Sequence, residues 1–509
     1  MAEKKVNPYI IAAVMILPTF FAMVATSGTN VCMPYIAGYY GATQNEANTV
    51  ITSYMISNGA MLPLTGWLVK AFGVKKLALW CIYLFTIGAF MCAFAPNLPF
   101  LIISRLIEGV GGGPLMPLSQ SVLLSVFPKQ QRGTAMGLFG FAVILSPLIG
   151  PVLGGYLTDN YSWQWVFIIN IPFCILAIFL IKKFLKESTV KVTNKKFDAL
   201  GLFLISLALL AMQIVLDKGE QNNWLDCTWI AWTAGISFFA FIFFFIWELE
   251  YKNAFANLRL FENRNFAIGT FLGGIVNLMV YSTILLIPLF VQSILGYTAF
   301  LSGCAVASRI VSCAIMLAVV GQLANIIDNR ILIGVGLFIL GSSTFAFSMI
   351  NPESSMASIV IPNFFFGSGI AFTFIPVSAM TFATISSRKV ADGAGLHSLY
   401  KCALTAVVTT ACSTFIQRVS QVHQTYLVHN IAPESLSYKY HLAILKSHYL
   451  INLSHYMAGK KAISIVYKQM LLQARLSAFY DLFMILAMIA ICSIPLVFLL
   501  KPIVKEAEE

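Results

Sequence analysis

From Pro8 onward the chain alternates long apolar runs with short polar breaks. The runs lie near 8–34, 47–69, 77–95, 99–127, 133–157, 163–185, 198–216, 228–250, 266–292, 300–324, 330–349, 355–384, 391–418 and 477–500. Each exceeds the ~17 residues that a helix needs to cross the hydrocarbon of a bilayer. The pattern predicts about fourteen helices, spans 1 to 14, in an all-α membrane protein. The breaks are short except for residues 419–476.

Charge gives these runs a direction. Taken alternately from the N-terminus, one set of breaks carries Lys4, Lys5, Lys70, Lys75, Lys76, Lys129, Arg132, Lys182, Lys183, Arg259, Arg264, Arg330, Arg388, Lys389 and Lys501. The short breaks of the other set carry Lys218 alone. Cytoplasmic loops collect Lys and Arg, so both termini are expected in the cytoplasm, with an even span count. The basic segment 419–476 does not disturb this, because long loops cross regardless of charge.

Composition agrees. The chain is 59% hydrophobic and 10% charged, whereas a soluble domain carries roughly 25% charge. The net charge of +12 then reads as an orientation signal and not as a nucleic-acid patch. Nine of ten cysteines fall in apolar runs, where they read as small buried hydrophobes rather than disulfides. Lys4 and Lys5 precede a full-length span, so no cleavable signal peptide is expected.

The chain also resembles itself. At an offset of 258, Gly109, Gly111, Gly137 and Leu138 fall on Gly367, Gly369, Gly395 and Leu396. At an offset of 255, Gly66, Leu68 and Lys75 fall on Gly321, Leu323 and Arg330. A shift of eight spans keeps direction, so the halves are parallel, a transporter arrangement. The expected division is an N-terminal six-helix bundle over 1–185, linkers and two inserted helices over 186–265, and a C-terminal six-helix bundle over 266–509.

Charges inside the spans are candidate chemistry. In SRLIEGVGGGPLMPLSQS, residues 104–121, Arg105 and Glu108 lie three apart. At ~1.5 Å per residue they sit roughly 9 and 13 Å below the end of span 4. Charges at that depth must be paired or wet. Two readings stay open: a closed ion pair, or a site on a water-filled cavity where Glu108 exchanges a proton. Gly109 and Gly113 share a face suited to close helix packing. No Lys-Ser or Lys-Thr follows these glycines, so this is no phosphate loop. Arg309 and Lys401 are further mid-span cations. Three cations against one acid should favour anionic or neutral amphiphiles. In SPLIGPVLGG, residues 146–155, Pro147 and Pro151 each delete a helix hydrogen bond, and Gly150, Gly154 and Gly155 make a smooth face suited to sealing one half against the other. In GWLVKAFGVKK, Gly66 and Gly73 allow a tight turn that Lys75 and Lys76 hold at the cytoplasmic face.

Together these stretches resemble the major facilitator superfamily, and within it the fourteen-span drug:proton antiporters of the EmrB/QacA branch. LFENRNF, IPLFVQSILGYTAFLSG and SLYKCALTAVVTT look like the second half of EmrB-like proteins. The resemblance implies alternating access in the inner membrane, with export of small amphipathic compounds driven by inward proton flow and no cofactor. It also implies the partners such pumps use in Gram-negative bacteria, an EmrA-like periplasmic adaptor and a TolC-like outer-membrane channel, with 419–476 as the docking segment. The sequence departs from the family in four places. Ala25 stands where an aspartate is usual in span 1, Glu108 where glutamine is usual, Lys70 in place of a loop aspartate, and Lys401 where arginine is frequent. An acidic role moved from span 1 to Glu108 would fit.

All six histidines lie between 397 and 455, and His441, His448 and His455 recur every seven residues. On one helix they would be about 10 Å apart, too far to share a metal. They read as a solvated face or a partner-docking helix. Other readings of the same fold are a dedicated metabolite or siderophore transporter, or a membrane receptor or enzyme. Neither a metal-ligand cluster nor a nucleophile elbow supports an enzyme. The aromatics Phe364, Phe365, Phe366, Phe372 and Phe374 suit greasy ligands.

Overall fold

The computed structural model describes residues 7–62, 64–128, 131–185, 198–251, 258–297, 299–386, 389–430, 436–449 and 455–501. In chain order the α-helices are α1 (Pro8–Tyr40), α2 (Gln44–Met61), α3 (Thr65–Phe72), α4 (Val74–Ala93), α5 (Leu98–Gly112), α6 (Leu115–Val126), α7 (Arg132–Asn160), α8 (Trp165–Ile168), α9 (Asn170–Phe184) and α10 (Ala199–Lys218). They continue as α11 (Thr228–Glu250), α12 (Arg264–Ser293), α13 (Ala299–Ile326), α14 (Asn329–Phe347), α15 (Ala357–Phe382), α16 (Val390–Asn430), α17 (Leu436–Tyr449), α18 (His455–Cys492) and α19 (Ile494–Val497). Among the described residues there is no strand.

Twelve helices or helix pairs among the described residues are long and apolar enough to cross a membrane. Two expected crossings fall short of that test. α2 carries Asn45, Glu46, Asn48, Ser53 and Asn58 along its length, and the apolar stretch of α10 is only Leu200–Leu216. Span 4 is broken into α5 and α6 at Gly113 and Pro114, because proline has no amide hydrogen to continue the ladder. Large apolar side chains such as Trp80, Phe179, Phe203 and Trp232 face outward. A lipid solvent accepts that arrangement and water does not.

In the first half, α1 packs on α7, α9 and α6, α4 lies against α5 and α9, and α2 lies against α5. In the second, α13 and α14 flank α15, α12 touches α15 and α16, and α18 closes on α14 and α16. α10 and α11 pack mainly on each other. The halves meet where α7 crosses α13 and α15, and where α16 crosses α6 and α3.

The sequence repeat is a repeat of contacts. A Cβ on Gly111 would stand 2.6 Å from the Cys81 carbonyl oxygen, and one on Gly369 would stand 3.1 Å from that of Gly336. Cys81 and Gly336 are related by the offset of 255, while the glycines are related by 258. Gly109 likewise presses on Tyr54 backbone and Gly367 on Arg309 backbone, again a pair at offset 255. Two parallel three-helix notches result, α2–α4–α5 and α13–α14–α15.

At the end where α1 begins, residues of both halves form one apolar core that includes Phe127, Phe139, Phe266, Phe382, Ile385 and Ala394. The halves are therefore closed at that end. Beyond the opposite end the segment 419–476 is no simple loop. α16 has 41 residues, about 60 Å of helix, and its C-terminal part, α17 and the start of α18 make up most of that segment. His441 and His448 lie on α17, but His455 begins α18, so the three histidines do not share one helix face. The segment between those helices, 450–454, lies outside the described residues.

Candidate transport site

Asn97 caps α5 by accepting a hydrogen bond from the Phe100 amide, and α5 then carries Arg105 and Glu108 inward on one face. Arg105 Nη1 donates to Glu108 Oε2 at 2.8 Å, and both side chains are 0% exposed. Arg105 Nε donates to the Val50 carbonyl at 3.4 Å. The guanidinium lies 4.3 Å from the Tyr54 ring centre and 5.6 Å from that of Phe167. Cys92 Sγ donates to the same carboxylate oxygen at 3.5 Å. Arg105 Nη2 and Glu108 Oε1 have no hydrogen-bond partner among the described residues. The walls come from α2, α4, α5 and α8, all in the first half. Of the two open readings, the site on a water-filled cavity does not match this geometry, since both side chains are buried and neither lines the cavity between the halves. Gly88, Gly109 and Gly111 let α4 and α2 approach so closely that the pair is covered. The ion-pair reading fits the geometry.

The second half holds its arginine differently. Arg309 on α13 donates from Nη2 and Nε to Asn363 Oδ1 on α15, at 2.7 and 3.2 Å, and from Nη1 to Thr283 Oγ1 on α12 at 3.0 Å. Its guanidinium lies 4.4 Å from the Phe366 ring centre. By the repeat, Asn363 occupies the place of Arg105, Phe366 that of Glu108 and Arg309 that of Tyr54. The cation has moved to the neighbouring helix, and the acid is gone.

Between the halves lies a cavity of about 60 Å³ lined by Met116, Val143, Pro147, Gly273, Val276, Asn277, Val280, Tyr281, Ile284, Arg309, Ile370, Phe374 and Lys401. Arg309 and Lys401 therefore come together here, and Arg105 and Glu108 do not. Lys401 Nζ lies 5.4 Å from the Phe374 ring centre. Asn277 Nδ2 donates to the Lys401 carbonyl at 3.2 Å and to Thr405 Oγ1 at 2.6 Å, fixing α12 to α16. No carboxylate appears in the lining. Among the expected aromatics, Phe374 lines the cavity, Phe366 supports Arg309, Phe372 packs at Gly336 of α14, and Phe364 and Phe365 face outward.

The glycine motifs sort by position. Gly150 and Gly154 meet Gly28 on α1, so that smooth face packs within the first half and not between halves. Gly155 stands beside Val31 of α1. Contact with the second half comes earlier on α7, where Gly137 meets Ile375 and Gly140 meets Phe374. Pro147 lines the cavity; α7 runs on through Pro151, whose side chain is not described. Gly113 presses on Asn58 and Met61 of α2. Gly73, at φ 79°, takes a left-handed conformation between α3 and α4 that favours glycine. Lys75 Nζ donates to the Lys182 carbonyl at the end of α9, at 3.0 Å. Lys76 lies on the first turn of α4. Gly66 abuts Asp392, at the start of α16, so this loop docks on the second half. Ala25 is packed in the core of the first half.

Sequence reasoning missed Asn277, Thr283, Asn363 and Asp392. The signal was available: each is polar and buried or cavity-lining, and Asn363 is the repeat partner of Arg105.

Residues 15–409 match the family model of the Major Facilitator Superfamily. The chain belongs to that family. Among similar proteins, the multidrug export protein EmrB of Haemophilus influenzae is 32% identical over 421 residues, 82% of each chain. The fatty acid resistance protein FarB of Neisseria gonorrhoeae is 30% identical over 492 residues, 96% of this chain and 94% of that one. Two solved structures share the fold. The human organic anion transporter MFSD10 has a TM-score of 0.57 at 12% identity, covering 96% of this chain and all of the other. The proton:xylose symporter XylE has a TM-score of 0.55 at 15% identity, covering 83% and 90%. This member of the superfamily is thus a multi-pass membrane protein, with Arg309 and Lys401 on the cavity between the halves.

Proposed function

We propose that the chain is a proton-coupled multidrug exporter of the inner membrane, moving anionic or neutral amphipathic compounds by alternating access without altering them chemically. The observation that carries this reading is the cavity, with Arg309 and Lys401 on its wall, no carboxylate, and the apolar side chains Met116, Val143, Ile370 and Phe374 beside them. A cation on a low-dielectric wall attracts anions, and apolar neighbours accept the greasy body. The names of the relatives, multidrug export and fatty acid resistance, support the same class. In this reading 1–185 and 266–509 are rocking six-helix bundles, 186–265 carries the inserted pair, and α2 and α10 complete fourteen crossings with both termini cytoplasmic. Arg105 and Glu108 brace the first bundle, while the loop around Gly66 and Gly73 latches the cytoplasmic side on α16. The helical segment 419–476 is the place for a periplasmic adaptor, which would pass cargo to an outer-membrane channel.

A susceptibility screen in a pump-deleted host tests the substrate class. Expression should protect against weak-acid uncouplers and fatty acids, and Lys401→Met should remove that protection. Protection restricted to lipophilic cations would sink the reading.

A further inference from the structure

His397 is not among the residues assigned so far. It lies on α16 one turn before Lys401, and it is 1% exposed. Its Nδ1 is 3.3 Å from Thr270 Oγ1 on α12, and its Nε2 has no hydrogen-bond partner among the described residues. Its ring meets that of Phe382 on α15 edge-on, with centres 5.7 Å apart. Gly273 makes the room: a Cβ there would stand 2.9 Å from His397 Cε1 and 3.5 Å from Lys401 Cε. Gly273 also lines the cavity. The imidazole therefore sits between the apolar seal of Phe266, Phe382 and Ile385 and the cavity that Lys401 lines.

A buried polar nitrogen without a partner is costly, so its retention asks for a use. We propose that His397 is the proton-carrying group of the exchange, working as a pair with Lys401. This rests on the proton-coupled reading above. With Nδ1–H donating to Thr270, Nε2 holds the free lone pair. A proton arriving from the acidic side binds that lone pair and leaves from it to the other side, so no bond of the substrate is made or broken. The imidazolium and the Lys401 ammonium are one turn apart, and like charges at that spacing repel. A substrate seated on Lys401 covers Gly273 and with it the approach to Nε2. Proton and substrate then take turns, which is what antiport needs.

The surroundings leave Lys401 as the charge that governs His397. α12 presents Thr270 and Gly273, α15 presents Phe382, and α6 has no charged residue. On α16 the other charge nearby is Asp392, at its first turn and against Gly66. α3 carries Lys70, whose side chain is not described. The charges of α2 and α10 stand near their ends, and α18 has none after Asp481, which pairs with His423. Glu108 is closed in its ion pair, and Ala25 cannot titrate.

The test uses the full chain in proteoliposomes. The other five histidines are replaced by asparagine, and the remaining imidazole is followed by ¹⁵N NMR across the whole pH range in which the protein stays folded. We expect one titration, whose midpoint moves in Lys401→Met and stays in Lys401→Arg. No titration, or a midpoint indifferent to Lys401→Met, overturns the inference. In parallel, accumulation of anilinonaphthalene sulfonate under a pH gradient is compared with its gradient-independent exchange. His397→Gln should lose the first and keep the second. If wild type accumulates the probe and His397→Gln matches it, the inference falls and the exporter reading stands. If wild type moves no probe, both fall. The titration keeps the native side chain, so it decides even where His397→Gln does not fold.

Discussion

The two notches are built on one plan and closed by different chemistry. In both, a glycine on the third helix lets its partner helix come close, and an arginine lies over an aromatic ring, at 4.3 Å in one and 4.4 Å in the other. In the α2–α4–α5 notch the arginine meets a carboxylate, and the pair is neutral and covered. In the α13–α14–α15 notch the arginine meets an amide and a hydroxyl, no carboxylate neutralises it, and the residue lines the cavity. Equivalent scaffolds thus hold an arginine in unlike ways. One pairs it with a carboxylate, and the other gives it only neutral acceptors. In the proposed reading the first braces a bundle and the second serves a guest.

The largest expected effect strikes the neutral notch. Arg105→Met leaves the Glu108 carboxylate buried alone, which should cost about 3–5 kcal/mol of stability. Thermal unfolding in detergent would show it. The double variant Arg105→Met with Glu108→Leu should recover most of the loss, since no lone charge remains. A double variant as unstable as the single one would mean that the pair does more than neutralise itself.

In the charged notch the same substitution should cost less. Arg309→Met orphans only neutral acceptors, Asn363 Oδ1 and Thr283 Oγ1, for about 1–3 kcal/mol. Accumulation of the anionic probe should fall far more than stability does. An equal, large destabilisation in both notches would break the comparison.

The contrast was partly legible in the sequence. Apolar run lengths gave the helices and the glycine offsets gave the repeat, because both depend on local residue size and hydropathy. The break at Pro114 and the polarity of α2 were also written there. What the chain could not reveal was which mid-span charges meet. Arg105 and Arg309 look alike in a row of apolar residues, and both are buried; only the fold decides that one meets a carboxylate and the other lines the cavity. The same holds for Gly150 and Gly154, whose spacing promised a smooth face without saying which helix would use it. His397 was hidden differently. It was counted with the other five histidines near the C-terminal end, whereas the fold sets it beside the cavity.

A subtler test makes the second notch resemble the first. Asn363→Asp puts an acid against Arg309 at the position that mirrors Arg105. The cavity would lose one net positive charge, and handling of the anionic probe should fall about tenfold, or ~1.4 kcal/mol of lost interaction. Neutral amphiphiles should be spared. An anionic probe handled as well as before would show that Lys401 alone sets selectivity.

The smallest effect concerns how α2 delivers Val50 and Tyr54 to Arg105. Thr43 caps that helix, and Glu46 accepts from the Thr43 amide at 2.8 Å and from its hydroxyl at 2.9 Å. The amide first, then the hydroxyl, hold the Glu46 carboxyl below the usual carboxylate range. Its contribution is therefore present at neutral pH and lost as pH falls through the folded-state value. Glu46→Gln should lower the unfolding temperature slightly at neutral pH, and the gap should close under acid, where the wild-type side chain is neutral too. The C-terminal notch, whose α13 has no acidic residue in its first turn, should not follow this titration. A gap that persists at acid pH would assign the anchor to hydrogen bonding alone and remove charge from the account of how α2 is held.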